Sequence, residues 1–264
     1  MMTATQSAVL ERIQSALEAA RMVFARFTPG EIAAEYKAGL DPVTEADLAV
    51  NALLHKELLR EDEGWLSEES ADDLLRVQRK NVWIVDPLDG TREFVAGIPE
   101  FCVSVAYAEH GRVVAGGIFN PATNEVFLGA VGAGMMYNGK PAQASPRTTL
   151  KGATVLASRS ETKRGEWKQF EAAEFRVQPM GSVAYKLARV AAGLEDATFT
   201  LVPKHEWDVA AGAALVESAG GFVRTLDNQP LLCNQADPLI SGLVAGGAGL
   251  QGELMRLIGA HRVL

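Results

Sequence analysis

The sequence predicts an α/β protein of two lobes in one unit, and three observations predict it. Between residues 101 and 130 three apolar segments, "FCVSVAYA", "RVVAGGIF" and "EVFLGA", are separated by His110-Gly111 and "NPATN". That is the pattern of an antiparallel meander. From about residue 150 the rhythm changes to strands alternating with helices, which is α/β in character. No Pro/Ser-rich linker or internal repeat divides the chain. We therefore expect a single domain over 1–264, with an N-terminal lobe over about 1–145 and a C-terminal lobe over about 146–264. A chain of 264 residues is long enough for such lobes to share a core.

The elements follow in order. Val9, Ile13, Leu17, Ala20, Val23 and Phe24 recur at helical spacing over residues 6–27. A loop carrying "TPGEIAAEYKAGLDP" follows, and then a helix from about residue 44. Thr44 is its N-cap and Asp47, three positions later, suits a capping box. The acidic stretch "EDEGWLSEESADD" reads as a solvated loop, and Val82 to Val85 as a buried strand. After the meander, "MYNGKP" is a turn in which Asn138-Gly139 favours positive φ. The second half reads as strand "ATVLAS", a helix near 162–172, strand "FRVQ", a helix near 182–192 and strand "ATFTL". A helix over 208–219, strand "GFVR", the segment "SGLVAGG" and a final helix near 247–260 complete it.

Composition bounds the function. The formal charge is −8, with 33 acidic against 25 basic residues. Non-specific nucleic-acid binding needs a basic footprint, so no polymeric nucleic-acid partner is expected. Only Cys102 and Cys233 are present, without CxxC spacing, which fits a reducing compartment rather than a disulfide or zinc framework. No run reaches the length of a membrane span and the N-terminus lacks a signal-peptide core, so a cytoplasmic location and no membrane partner are expected.

The chemistry concentrates in carboxylates: Asp47, the pair Glu68-Glu69, Asp86, Asp89 and Asp208. In "NVWIVDPLDGTREF" an apolar strand ends on two aspartates, where open α/β sheets place ligands. Burying unpaired carboxylates is costly, so a positive charge is expected between them. A hard, oxygen-rich set of this kind suits Mg²⁺. Gly90 and Thr91 offer backbone amides to phosphate if a helix starts there. Taken singly, each piece has a plainer reading: "DPLDG" is a good turn, Asp47 caps its helix, and Asp208 favours a helix N-terminus. Other motifs fail on spacing. The positions after Asp86 do not fit an EF-hand, "GAVGAGMMYNG" has no GxGxxG register, the four histidines are scattered, and no GxSxG elbow is present.

Together these residues resemble the inositol monophosphatase superfamily of Mg²⁺-dependent, lithium-sensitive phosphatases. Asp47 in "VTEAD", then "SEES", "DPLDGT" and "WDVAAGAALVESAGG" stand in family order over roughly residues 40–225, with "GSVAYKLARVAAG" resembling the family's GS-containing helix. The resemblance implies a layered α/β/α/β/α sandwich, commonly assembled as a homodimer. It implies that Glu68, Asp86 and the carbonyl of Leu88 hold one Mg²⁺, that Asp86, Asp89 and Asp208 hold a second, and that a third can sit near Glu68. Asp47 and Thr91 would position and deprotonate the attacking water, with Glu68 also in the catalytic set. Substrate contacts are expected from Asp89, Gly90, Thr91, Gly181, Ser182, Lys204 and Asp208.

The phosphate ester is less sharply indicated. "DPLDGTREF" resembles the 3'(2'),5'-bisphosphate nucleotidase branch, which makes 3'-phosphoadenosine 5'-phosphate the first expectation. Lys204, His205 and Arg92 would then meet a second phosphate, although surface charge on loops explains them equally well. Where the inositol branch carries an acid before its WD, this chain has Thr200 or Leu201. "GIPEF" and the GS helix point the other way, to inositol or another sugar monophosphate, and histidinol phosphate and fructose 1,6-bisphosphate stay open. A non-catalytic metal- or phosphate-sensing protein on the same fold is the alternative of a different class.

Overall fold

The computed structural model describes residues 4–36 and 42–261; residues 37–41 of the expected loop lie outside the described residues. The chain opens with α1 (Ala4–Phe24), whose buried face is Val9, Ile13, Leu17, Ala20 and Phe24, as the spacing predicts. Next is α2 (Glu45–Leu58), capped by Thr44 with the expected capping box from Asp47.

A seven-stranded sheet follows, with its strands in sequence order. They are β1 (Gly64–Ser67), β2 (Asn81–Asp89), β3 (Cys102–Glu109), β4 (Arg112–Asn120), β5 (Glu125–Ala130), β6 (Gly134–Tyr137) and β7 (Lys140–Ala142). In this sheet β1 and β2 pair in parallel and the other neighbours are antiparallel; β3, β4 and β5 are the predicted meander. Asn138 and Gly139, at φ 49 and 74, turn β6 into β7 as a primed hairpin requires. A short helix α3 (Thr91–Val95) leaves the end of β2.

The second sheet is mixed. Its strands are β8 (Thr154–Ser158), β9 (Arg176–Met180), β10 (Ala197–Thr200), β11 (Gly221–Thr225) and β12 (Leu243–Gly247), in the order β9-β8-β10-β12-β11. Between them run α4 (Arg159–Lys163), α5 (Val183–Ala191), α6 (Glu206–Ser218) and, last, α7 (Gln251–His261).

The apolar cores show how the layers stack. One core joins α1 and α2 to one face of the first sheet. A second joins the other face of that sheet, through α5 and α6, to the second sheet. A third covers the outer face of the second sheet with Leu254 and Ile258 of α7 and with Trp167 and Phe170. The order is helix, sheet, helix, sheet, helix, the sandwich the family resemblance implied. Adjacent glycines in β4 let helices close on both faces. A Cβ at Gly117 would lie 2.3 Å from Ile13 of α1, and one at Gly116 would lie 2.5 Å from the Ala211 carbonyl of α6.

Three local expectations are corrected. The acidic stretch 61–73 is not all loop, because Trp65 and Leu66 lie in β1, paired to Trp83 and Ile84 of β2. Four residues of strand among acids are too few for a period-two signal. The helix expected near 162–172 divides into α4 and a 3₁₀ turn Glu166–Phe170, because Gly165 sits at φ 81 between them. The last helix begins at Gln251, after a 3₁₀ turn Ala248–Leu250.

Candidate metal centre and active site

Strand β2 explains how buried carboxylates are presented. Both of its faces are covered, so it reads as a continuous apolar run. Trp83 and Val85 point into the core under α1 and α2, while Val82 and Ile84 point toward α5 and α6. Asp86 continues the second series and is buried. The pairing with β3 slips between Asp86 and Asp89, around Pro87, so the strand continues irregularly and ends on a second carboxylate. Gly90 then turns the chain at φ 97, where a Cβ would lie 2.8 Å from the Glu100 carbonyl, and α3 starts at Thr91.

Glu68, just past β1, Asp86 of β2 and Asp208 in the first turn of α6 each contribute a carboxylate oxygen, all within 4.8 Å of one another. Burial raises Asp86 well above the ordinary carboxylate range, and the charges of Glu68, Asp89 and Asp208 raise it further. Asp208 is likewise raised by burial, then by Asp89 and Glu68, against the pull of the His205 amide that donates to it at 2.9 Å. Carboxylates so crowded resist ionisation until a cation screens them. The donor set is all oxygen, which fits Mg²⁺ rather than zinc or copper.

Beside this cluster, the Thr91 hydroxyl lies 3.0 Å from Asp47 Oδ1 and 2.9 Å from the Leu88 carbonyl. Asp47 Oδ2 meanwhile accepts from the Thr44 amide at 2.8 Å and the Thr44 hydroxyl at 2.6 Å. Asp47 therefore makes the helix-capping contact with one oxygen and the Thr91 contact with the other. Burial raises the Asp47 pKa against these hydrogen bonds. Asp89 is positioned differently. Its Oδ2 accepts from the Ser182 hydroxyl and the Ala184 amide, both at 2.6 Å, so it stands next to the three-carboxylate group while tied to the start of α5.

Glu68, Asp86, Leu88, Asp89, Thr91 and Asp208 line one cleft of about 360 Å³, together with Gly90, Gly181, Ser182, Lys204 and Arg92; Asp47 is connected to it through the Thr91 hydroxyl. Ser182 caps α5 at φ 54 while holding Asp89. The Gly181 amide donates to Glu100 at 2.7 Å, and Glu100 is also clasped by Arg159. Glu69 stands apart from the cluster, its carbonyl accepting from Asn51 at 3.2 Å. The sequence reading missed Lys186, a cleft residue only 5 % exposed, whose ammonium burial pushes down to about 8. Its only signal was a lysine inside an apolar helical segment. It also missed Glu161 of α4, which accepts from Thr200 at 2.9 Å and lies 3.7 Å from Lys204.

A five-layered sandwich with an all-oxygen carboxylate cluster beside a hydrogen-bonded Asp–Thr pair points to one class, the metal-dependent hydrolases. Residues 5–262 match the Inositol monophosphatase family, and the chain belongs to that family of Mg²⁺-dependent phosphomonoesterases. It is 33% identical over 259 residues to an inositol-1-monophosphatase from Mesorhizobium japonicum, covering 93% of this chain and 94% of the relative. A protein from Thermotoga maritima named fructose-1,6-bisphosphatase/inositol-1-monophosphatase is also 33% identical, over 72% of this chain and 73% of the relative. The solved inositol monophosphatase from Anabaena (Nostoc) sp. superposes with a TM-score of 0.80 at 28% identity, covering 97% of each chain.

These findings favour the inositol monophosphatase branch over the bisphosphate nucleotidase that "REF" suggested. Phe94 of that motif is a core residue between Phe24 and Phe101, whereas Glu93 packs against Gly181 and lines the cleft. No described helix is long and apolar enough to cross a membrane.

Proposed function

We propose that this chain hydrolyses a small polyol or sugar phosphate monoester, with an inositol monophosphate as the first substrate. The observation that carries the reading is the Glu68–Asp86–Asp208 group lining one cleft with Thr91, whose hydroxyl lies 3.0 Å from Asp47. Glu68, Asp86 and the Leu88 carbonyl would hold one Mg²⁺, and Asp86, Asp89 and Asp208 a second, with a third near Glu68. Bound there, Mg²⁺ supplies a nucleophilic water at neutral pH and a counter-charge for the phosphate. The remaining work belongs to the chain. Asp47 accepts the Thr91 hydroxyl bond and so orients Thr91 toward the attacking water, with Glu68 beside it. Asp89 anchors Ser182 and the α5 N-terminus at the cleft wall, where Gly181 and the Gly90–Thr91 turn bring backbone close to the ester.

A second reading, a doubly anionic ester, is favoured by Lys186 and Lys204 on the same cleft wall and by the relative named for fructose-1,6-bisphosphatase. Phosphate release in Mg²⁺ tests both. The panel is inositol 1-phosphate, fructose 1,6-bisphosphate and 3'-phosphoadenosine 5'-phosphate, each with and without Li⁺. The highest kcat/KM on inositol 1-phosphate, with Li⁺ inhibition, supports the first reading. Preference for either bisphosphate replaces it with the second, and release from none leaves a non-catalytic binding protein. The homodimer implied by the family resemblance is read by light scattering.

A further inference from the structure

Three carboxylates from three distant segments are held within 4.8 Å of one another although they repel. Behind them lies a polar network, buried at Arg76 and Glu206, that the chemistry above does not use. Arg76, 2 % exposed, donates to Asp72 Oδ2 from Nε and Nη2 at 3.0 and 2.6 Å. Its Nη1 donates to Asn234 Oδ1 at 2.9 Å and to the Gln235 carbonyl at 3.0 Å, while Asn234 Nδ2 returns a bond to the Arg76 carbonyl. The Asn234 and Gln235 amides in turn donate to the two oxygens of Glu206 at 2.6 and 2.9 Å. Glu206, 1 % exposed, opens α6 two residues before Asp208.

The other end of the network presses on β1. A Cβ at Gly64 would lie 2.9 Å from Arg76 Cβ, so Arg76 packs on the strand whose end carries Glu68. The path therefore runs from β1, through Arg76 and the 234–235 turn, to the first turn of α6. The net effect is one guanidinium shared between a carboxylate on the Glu68 side and a turn that grips a carboxylate on the Asp208 side. An unpaired Glu206 would be costly at this depth, so the turn cannot shift without shifting α6.

We propose that Arg76, Asn234 and Glu206 are positioning residues: a clamp that sets the spacing of Glu68 and Asp208 and thereby the affinity of the site for Mg²⁺. None of them lines the cleft. The proposal rests on the reading that Glu68 and Asp208 are metal ligands, and the test separates the two.

Arg76→Met keeps the alkyl packing and removes the guanidinium. Asn234→Gly removes only the side-chain bridge to Arg76; Asn234 sits at φ 60, where glycine is unstrained. Each is compared with wild type and with Arg189→Met, which breaks a partly buried ion pair to Glu195 elsewhere. Calorimetric titration of Mg²⁺ into metal-free protein is read beside the Mg²⁺ dependence of phosphate release. Both clamp variants should bind Mg²⁺ about tenfold more weakly, the cost of losing a ligand-supporting contact, and recover kcat at saturating Mg²⁺ with KM unchanged. Arg189→Met should titrate like wild type. Should Arg76→Met fail to fold, Asn234→Gly decides. Wild-type Mg²⁺ affinity in a folded clamp variant overturns the clamp, as does equal weakening in Arg189→Met. A wild-type protein that takes up no Mg²⁺ overturns the metal reading and the clamp with it.

Discussion

Asp86 neighbours Glu68, Asp89 and Asp208, and it accepts from the Leu88 amide at 3.0 Å. Asp86→Asn keeps that acceptor and the side-chain shape but removes a charge from a crowded group. We expect turnover to fall by about 100-fold or more, beyond the cost of an outer contact, with no loss of thermal stability. Near-normal phosphate release from this variant in Mg²⁺ contradicts the site. Thr91 gives a finer test. Thr91→Val preserves volume and should lower kcat by about 10²–10⁴-fold, the usual worth of a proton-handling group, while Thr91→Ser retains most of it. Equal losses in both would assign Thr91 to packing. The carboxylates could be recognised in the sequence because each lies beside a turn or cap with its own local signature. Lys186 and Glu161 could not, because their meaning comes from segments far away in sequence that fold against them.

Among the elements, α1 is joined to the first sheet by a polar contact as well as an apolar one. Arg12 pairs with both oxygens of Glu63 at 2.8 and 2.6 Å, and the Trp83 indole donates to Glu63 at 2.8 Å. Burial acts to raise the Glu63 pKa, but the bonds from Arg12 and Trp83 and the charge of Arg12 outweigh it, and the net shift is downward. A depressed folded pKa contributes stability above the unfolded value of Glu63, and loses it as pH falls through the folded value. Glu63→Gln should therefore cost about 1–3 kcal/mol at neutral pH and flatten the acid limb of the stability profile. Urea melts between pH 3 and 7 measure this, and an unchanged acid limb refutes it. Glu63 stands in the stretch "EDEGWLSEES", which composition alone marks as solvated. Its burial depends on an arginine at position 12 and a tryptophan at position 83, and no local window contains all three.

The whole molecule carries a formal charge of −8, and part of that excess is concentrated at one point. Mg²⁺ should therefore stabilise the fold. At a hundredfold excess over its Kd the gain is about 2.7 kcal/mol. For a chain of this size that is a rise of about 5–10 °C in Tm. Asp208→Asn should melt higher than wild type without metal and gain less from Mg²⁺; scanning calorimetry with and without the ion decides. The α/β class followed from the change of rhythm near residue 150, since the meander and the alternating half have different periods, while the layered order came from the family resemblance. The strand order β9-β8-β10-β12-β11 did not follow, because pairing across a crossover leaves no mark in either strand.

The position of α6 between the two sheets also bears on how the protein is made. A nascent chain can complete the first sheet from consecutive strands, and by then it already holds Glu68 and Asp86. Asp208 leaves the ribosome only later, on the helix that packs against that sheet. A partly synthesised chain therefore cannot bring the three carboxylates together, and the cluster is completed only late in synthesis.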